Sequence, residues 1–171
     1  MDARAQPQRP SPRIRALGEP GDLGWVVMAH GELYAREHGW NGELETLTCE
    51  IAGGYARRGD RAREAAWIAD LDGVRVGCVF CVADPGEADV ALLRILLVAP
   101  DARRLGLGGA LIDRAIEFAR GAGYARMRLW TNHPLEAAAR LYRARGFALV
   151  ASEPHASFGV ELVGQTYELA L

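Results

Sequence analysis

The amino-acid sequence predicts a single α+β domain, a mixed central sheet of about seven strands flanked by about four helices in the order βααβββαβαββ. Three observations carry that prediction. The chain has 171 residues, of which 50% are hydrophobic, enough for one core without disulfide or metal support. Apolar residues recur at three- and four-residue steps in some segments and alternate or run together in others. Clusters of Gly, Pro, Asp and Asn separate those segments, and no stretch repeats another.

Residues 1–12, with Pro7, Pro10 and Pro12 among Arg4, Gln8 and Arg9, lack the apolar stretch of a secretory signal and read as a disordered tail, leaving 13–171 as the domain. Residues 13–17 form a first strand. Asp22 is placed to cap a helix through Trp25, Val26, Ala29, Leu33 and Tyr34, which Gly39 ends. Asn41 caps a second helix, with Leu44, Leu47, Ile51 and Tyr55 inward and Glu43, Glu45 and Glu50 on its solvated face, until Gly59-Asp60 breaks it. Residues 65–71 and 74–83 are strands joined by Asp72-Gly73, a dipeptide that favours a tight hairpin. A turn at Asp84-Pro85-Gly86 leads into a strand over 88–98, which Pro100 stops because proline has no N–H for a ladder. A helix over 106–120 follows, with Leu107, Leu111, Ala115 and Phe118 on one side and Gly121 and Gly123 beyond its end. Then come a strand over 124–131, a helix over 134–145 with Gly146 as C-cap, and strands over 147–157 and 161–171 about Phe158-Gly159.

The charge balance narrows the function classes. Twenty Lys and Arg face 22 Asp and Glu, a formal charge of −2, without the basic excess of a nucleic-acid binder. No run approaches the ~20 apolar residues that span a membrane. Direct nucleic-acid binding and a membrane partner are therefore not expected. Cys78 and Cys81 are spaced as CxxC, but in a strand positions three apart point to opposite faces, so with Cys49 they read as thiols of a reducing cytoplasm and not as a metal or redox pair. No metal site is expected.

The chemistry concentrates where the 88–98 strand meets the 106–120 helix. Val98-Ala99-Pro100 is followed by Arg103-Arg104-Leu105-Gly106-Leu107-Gly108-Gly109. A glycine-rich strand-to-helix junction offers unpaired amides and the positive end of a helix dipole to phosphate, and Arg103 and Arg104 add charge-assisted donors. A Walker loop would need Lys-Ser/Thr where Gly109-Ala110 stands, and a dinucleotide fingerprint would need glycine at Leu111. What remains is Arg-x-x-Gly-x-Gly after Val-x-Pro, or a ligand-free turn.

This segment resembles the pyrophosphate loop of the GNAT family of N-acetyltransferases. Thr131-Asn132 at a strand end, followed by Ala138-Ala139-Arg140-Leu141-Tyr142-Arg143-Ala144-Arg145-Gly146-Phe147, is similar to that family's second signature. The resemblance implies an acetyl-CoA-dependent N-acetyltransferase. Backbone groups of Leu96, Leu97 and Val98 would hold the pantetheine arm and amides of residues 104–109 the pyrophosphate, with acetyl-CoA as co-substrate. Tyr142 would donate a proton to the departing sulfur, or else be a packed helix tyrosine. Many relatives carry asparagine seven residues before that tyrosine, where Leu135 stands, and Asn132 is assigned a CoA contact in its place. A finer resemblance, carried by His30-Gly31-Glu32-Leu33-Tyr34, Gly39-Trp40, Leu129-Trp130-Thr131-Asn132, His155-Ala156-Ser157-Phe158-Gly159 and Leu162-Val163-Gly164-Gln165, is to the acetyltransferase half of bacterial proteins that fuse a MarR-type DNA-binding domain to this fold. A winged helix-turn-helix does not fit before residue 13, so regulation through DNA would need a separate partner.

The acceptor is expected to be a small amino-acid-like amine, with a protein or peptide amine, or a non-catalytic acyl-CoA-binding regulatory module, as alternatives; a homodimer is open. Family spacing puts Leu92 where some relatives carry a glutamate base. Arg94 shares a strand face with Leu92, and an arginine in the apolar run 91–98 needs an anion, either a substrate carboxylate or a structural ion pair. His30, Tyr34, Trp40 and His155, with Glu37, Glu43 and Glu45, complete the candidates for the acceptor pocket. Each has a structural alternative: a half-buried helix residue for His30, a surface strand end for His155, and core packing for Trp40 and Trp130.

Overall fold

The computed structural model describes residues 12–171; the tail expected over 1–12 lies outside them except for Pro12, which opens the first strand. The elements are β1 (Pro12–Ala16), α1 (Asp22–His38), α2 (Glu43–Arg58), β2 (Ala65–Leu71), β3 (Val74–Ala83), β4 (Val90–Val98), α3 (Leu107–Gly121), β5 (Arg126–His133), α4 (Glu136–Arg143), β6 (Ala148–Ser157) and β7 (Val160–Ala170). This is the expected order, with one 3₁₀ turn, Pro100–Ala102, added after β4. All seven strands form one sheet in the order β1-β2-β3-β4-β5-β7-β6, and only β4 and β5 run parallel.

Two apolar layers sandwich the sheet. α3 and α4 cover one face through Leu107, Leu111, Ile112, Ala115, Ala139 and Tyr142, and α1 and α2 cover the other through Val26, Leu33, Ala52 and Tyr55. β3 is apolar throughout because both of its faces are covered: Cys78 and Phe80 face α1 and α2, while Val79 and Cys81 face α3. The two thiols therefore do lie on opposite faces, both fully buried, and burial pushes each well above the ordinary thiol range.

Several turns follow the expected chemistry. Asp72 and Gly73 have φ of 51° and 82°, and Phe158 and Gly159 have 58° and 79°, the doubly left-handed geometry of two-residue hairpins. Gly39 and Gly59 close α1 and α2 in the left-handed region. Asn41 does satisfy α2, its Oδ1 accepting from the Glu43 amide at 3.0 Å, although the cap position itself is Gly42. α4 is shorter than expected, with Ala144 as its cap and Gly146 turning the chain at φ 88°.

Asp22 is not the cap of α1. Gly21 holds that position, and Asp22, only 1% exposed, is the first helical residue. Its carboxylate accepts from the Gly18 and Glu19 amides at 2.9 Å, from Arg15 at 2.8 and 2.9 Å and from Arg75 at 2.7 Å. These donors overcome the cost of burial and hold the carboxyl well below its ordinary range.

The feature that creates a site is a parting of strands. β4 and β5 pair only from Val90↔Arg126 to Leu92↔Arg128. Between the pairs Phe80↔Arg94 and Cys78↔Leu97, β4 holds one more residue than β3, a bulge at which Ile95 takes φ 53°. Beyond Leu92 the two strands diverge, so the β5-facing edge of β4 lines an opening instead of a ladder. Among the described residues no helix is long and apolar enough to cross a membrane.

Candidate active site

The glycine-rich loop forms one wall of that opening. Arg104 at φ 64° and Gly106 at φ 80° turn the chain into α3, whose first loop-closing hydrogen bond runs from the Ala110 amide to the Gly106 carbonyl at 3.0 Å. No side chain caps this helix, so the preceding amides and the dipole of a 15-residue helix are presented at its start. Gly106 is required for its φ, since open space surrounds it. Gly108 and Gly109 have a further reason: a Cβ on Gly108 would lie 3.0 Å from Leu141 Cδ1, and one on Gly109 would collide with the Arg145 guanidinium, which is held by Asp113 at 2.6 and 3.0 Å. They let α4 close against the loop.

A cavity of about 620 Å³ lies here, between the loop, the end of β4, α1 and α4. Leu96, Leu97 and Val98 line it, as do Arg103, Arg104, Gly106, Leu107, Gly108 and Gly109. Leu105, 47% exposed, does not. Arg103 is tied to the Glu37 carboxylate at 2.9 Å and donates to the Val98 carbonyl at 3.3 Å, whereas Arg104 has no ionic partner among the described residues. The volume, the uncapped amides and the free guanidinium fit an elongated ligand ending in phosphates.

A second cavity, about 110 Å³, adjoins the first, and Tyr34, Leu96, Leu135 and Ala138 line both. Leu135, the departure from the family pattern, thus stands at the junction. Tyr142 lines the smaller cavity from α4; it is 5% exposed, packs on Phe147 and Tyr167, and its hydroxyl has no hydrogen-bond partner among the described residues. Burial, with Tyr34 nearby, raises its phenol above the ordinary tyrosine range, so it holds its proton at any physiological pH.

Arg94 also lines this cavity, beside the bulge. It forms no ion pair among the described residues, and burial lowers its pKa from the ordinary arginine value. Among the described residues no Asp or Glu lines the cavity. Two of the three carboxylates expected near it have other partners: Glu37 binds Arg103, and Glu43 accepts from the Phe158 amide at 2.7 Å and from Asn41 at 3.3 Å. With the Asn41 amide donating to the Phe158 carbonyl at 2.9 Å, Glu43 pins the β6–β7 turn to the start of α2.

His30 is 4% exposed and lines the same cavity one helical turn before Tyr34, on which it stacks at 5.9 Å. Its Nδ1 lies 2.8 Å from the Val26 carbonyl, so it carries the proton and donates; Nε2 is buried without a partner. Burial pulls its pKa from 6.5 down to about 4. The stack continues through Tyr34 to Trp40 at 5.1 Å and on to Phe158 at 5.0 Å, so Trp40 is core as expected and also a cavity wall.

Asn132 and His155 form a separate pair. Asn132 lines the small cavity and not the large one, and its Oδ1 lies 2.7 Å from His155 Nε2. His155 sits outside the small cavity, its Nδ1 on the Ser157 hydroxyl at 3.0 Å and its ring against Trp130. Trp130 is not core: it is 47% exposed and walls the small cavity. Gly164 carries the signal that could have shown this, a glycine inside a strand, because a Cβ there would lie 2.7 Å from the Trp130 indole nitrogen.

Comparison with known proteins agrees with this architecture. Residues 29–147 match the model of the acetyltransferase (GNAT) family. An uncharacterized N-acetyltransferase of Schizosaccharomyces pombe is 31% identical over 134 residues, 78% of this chain and 81% of that protein. One from Methanocaldococcus jannaschii is 31% identical over 91 residues, 51% of this chain, but the chain spans only 40% of that protein's length. Among solved structures, an N-acetyltransferase from Staphylococcus aureus superposes with TM-score 0.77 at 18% identity, over 94% of this chain and 98% of that one. A Salmonella typhimurium structure that holds acetyl-CoA as its cofactor gives TM-score 0.76 at 22% identity, over 94% of each.

Proposed function

The chain belongs to the acetyltransferase (GNAT) family, and from that premise we propose that it transfers the acetyl group of acetyl-CoA to the amine of a small amino-acid-like molecule. The observation that carries the acceptor class is Arg94, a partly buried guanidinium without an ionic partner in a cavity that holds no carboxylate. An acceptor's carboxylate would satisfy it.

The backbone edge of residues 96–98 would align the pantetheine arm in the larger cavity, and the amides of 104–109 with Arg104 would hold the pyrophosphate. Acetyl-CoA supplies a thioester whose carbonyl carbon bonds the acceptor nitrogen as its C–S bond breaks. Tyr142, which lines the smaller cavity, hands its hydroxyl proton to the sulfur. The nitrogen's own proton has no carboxylate to go to, since Leu92 stands where a base would. That favours an α-amino group: near pKa 8, making it neutral at pH 7 costs only about 1–1.5 kcal/mol, against roughly 4–5 for a lysine-like amine. Water suffices for the first and not for the second.

The test is thiol release from acetyl-CoA with free amino acids, polyamines, aminoglycosides and peptides. Release with amino acids and not with their carboxamides is expected; release only with peptides would move the acceptor to a protein N-terminus, whose first carboxyl is an amide and leaves Arg94 unpaired. Binding of acetyl-CoA without release for any amine would make the chain an acyl-CoA-binding module. The resemblance of residues 30–34 and 155–159 to MarR fusions would make a helix-turn-helix protein a regulatory partner, which co-purification would test.

A further inference from the structure

His30 lines the small cavity, and its Nε2 is a buried acceptor with no hydrogen-bond partner among the described residues. We propose that His30 Nε2 is a specificity determinant of the acceptor site, a fixed neutral lone pair that selects an amino acid carrying an uncharged hydrogen-bond donor, hydroxyl or carboxamide, on its side chain. This rests on the acetyltransferase reading and adds to it the side-chain class of the acceptor.

The geometry supports the assignment in three ways. The tautomer is set: with the Val26 carbonyl 2.8 Å from Nδ1, that nitrogen must donate, so Nε2 presents a lone pair and no proton. The ring is held by its hydrogen bond and by its stack on Tyr34, so the lone pair has one direction. Nε2 is buried with no partner among the described residues, yet His30 lines the cavity that Arg94 also lines. A site built around an unsatisfied acceptor discriminates against molecules that leave it unsatisfied, more sharply than an apolar pocket discriminates by shape. The cavity is small, about 110 Å³, and takes a short side chain. Arg94 fixes the carboxylate end and His30 reads the other.

The experiment compares serine with alanine, threonine with valine, and glutamine with norleucine in the thiol-release assay, for the wild-type chain and for His30→Phe, which keeps a stacking ring and removes the lone pair. The donor-bearing member of at least one pair is expected to lead by about 10-fold or more in kcat/KM, and that ratio should collapse towards unity in His30→Phe. Nitrogen-15 NMR of the wild-type imidazole gives a readout that does not depend on the variant folding: Nε2 should shift upfield on saturation with the donor-bearing amino acid and stay in place with its apolar isostere. Equal rates within every pair, a ratio unchanged in His30→Phe, or an Nε2 resonance indifferent to the acceptor would each overturn the proposal while leaving the acetyltransferase reading intact. Absence of thiol release with every amine would overturn both.

Discussion

Tyr142 and Arg94 occupy one cavity with opposite electrostatic problems. Burial keeps the Tyr142 proton on oxygen, which suits a group that gives it up only to a developing thiolate. Tyr142→Phe is expected to lower kcat about 10-fold or more while leaving the dissociation constant of acetyl-CoA unchanged by calorimetry; equal turnover would remove Tyr142 from the chemistry. Arg94 is a charge that burial disfavours and no carboxylate among the described residues compensates. Losing a charge-assisted hydrogen bond costs about 1.5–3 kcal/mol, so Arg94→Ala should raise the KM for a carboxylate-bearing acceptor by roughly 10-fold or more. The same variant should leave the KM for the corresponding carboxamide within about 2-fold, a contrast that a purely structural arginine would not produce.

The decisive element is the join of β4, the loop and α3. Gly106 takes φ 80° in open space, so Gly106→Ala introduces backbone strain without a steric clash. A left-handed non-glycine residue costs on the order of 1–2 kcal/mol, and re-aiming the loop would misplace the amides behind it. Urea denaturation should show a stability loss of that size together with weaker acetyl-CoA binding, and Gly106→Asn, which tolerates the left-handed region, should recover most of both. The β4 bulge acts at the same scale. It separates β4 from β5 after Leu92, and without that separation the main-chain groups of residues 93–98 would be taken up by a ladder.

Across the whole molecule, two buried groups set the acid limit of stability. The His30 pKa falls from 6.5 to about 4 on folding, so the unfolded chain binds the proton first as pH drops. Its contribution is complete above pH 6.5 and fades as pH falls towards 4, about 3 kcal/mol in all at ~1.4 kcal/mol per unit. The Asp22 carboxyl is depressed below its ordinary 3.8, so its contribution survives through that window and is lost only at still lower pH. Denaturation midpoints should therefore decline between pH 6.5 and 4 in the wild-type chain, and much less in His30→Phe. Asp22 joins β1, β3 and the start of α1 through Arg15 and Arg75, so Asp22→Asn, which takes the carboxylate from Arg75 and leaves Arg15 to Asp70 and Glu19, should cost about 3–5 kcal/mol in the same experiment at pH 7.

The sequence by itself determined the element order, the two-residue hairpins at Asp72-Gly73 and Phe158-Gly159, the opposite facing of Cys78 and Cys81, and the place of the glycine-rich loop. Each follows from residues close together in the chain, where period, turn chemistry and helix-end amides act locally. Only the tertiary structure decided that Asp22 is a buried ion-pair centre and not a cap, that Trp130 walls a cavity and is not core, that Asn132 pairs with His155 beside the small cavity, and that Arg94 has no ionic partner among the described residues. Those outcomes depend on which distant groups arrive at the same point. The bulge at Ile95 is likewise a tertiary outcome, because shifting β4 by one residue reverses the faces its later side chains present, and no spacing along the chain marks it in advance.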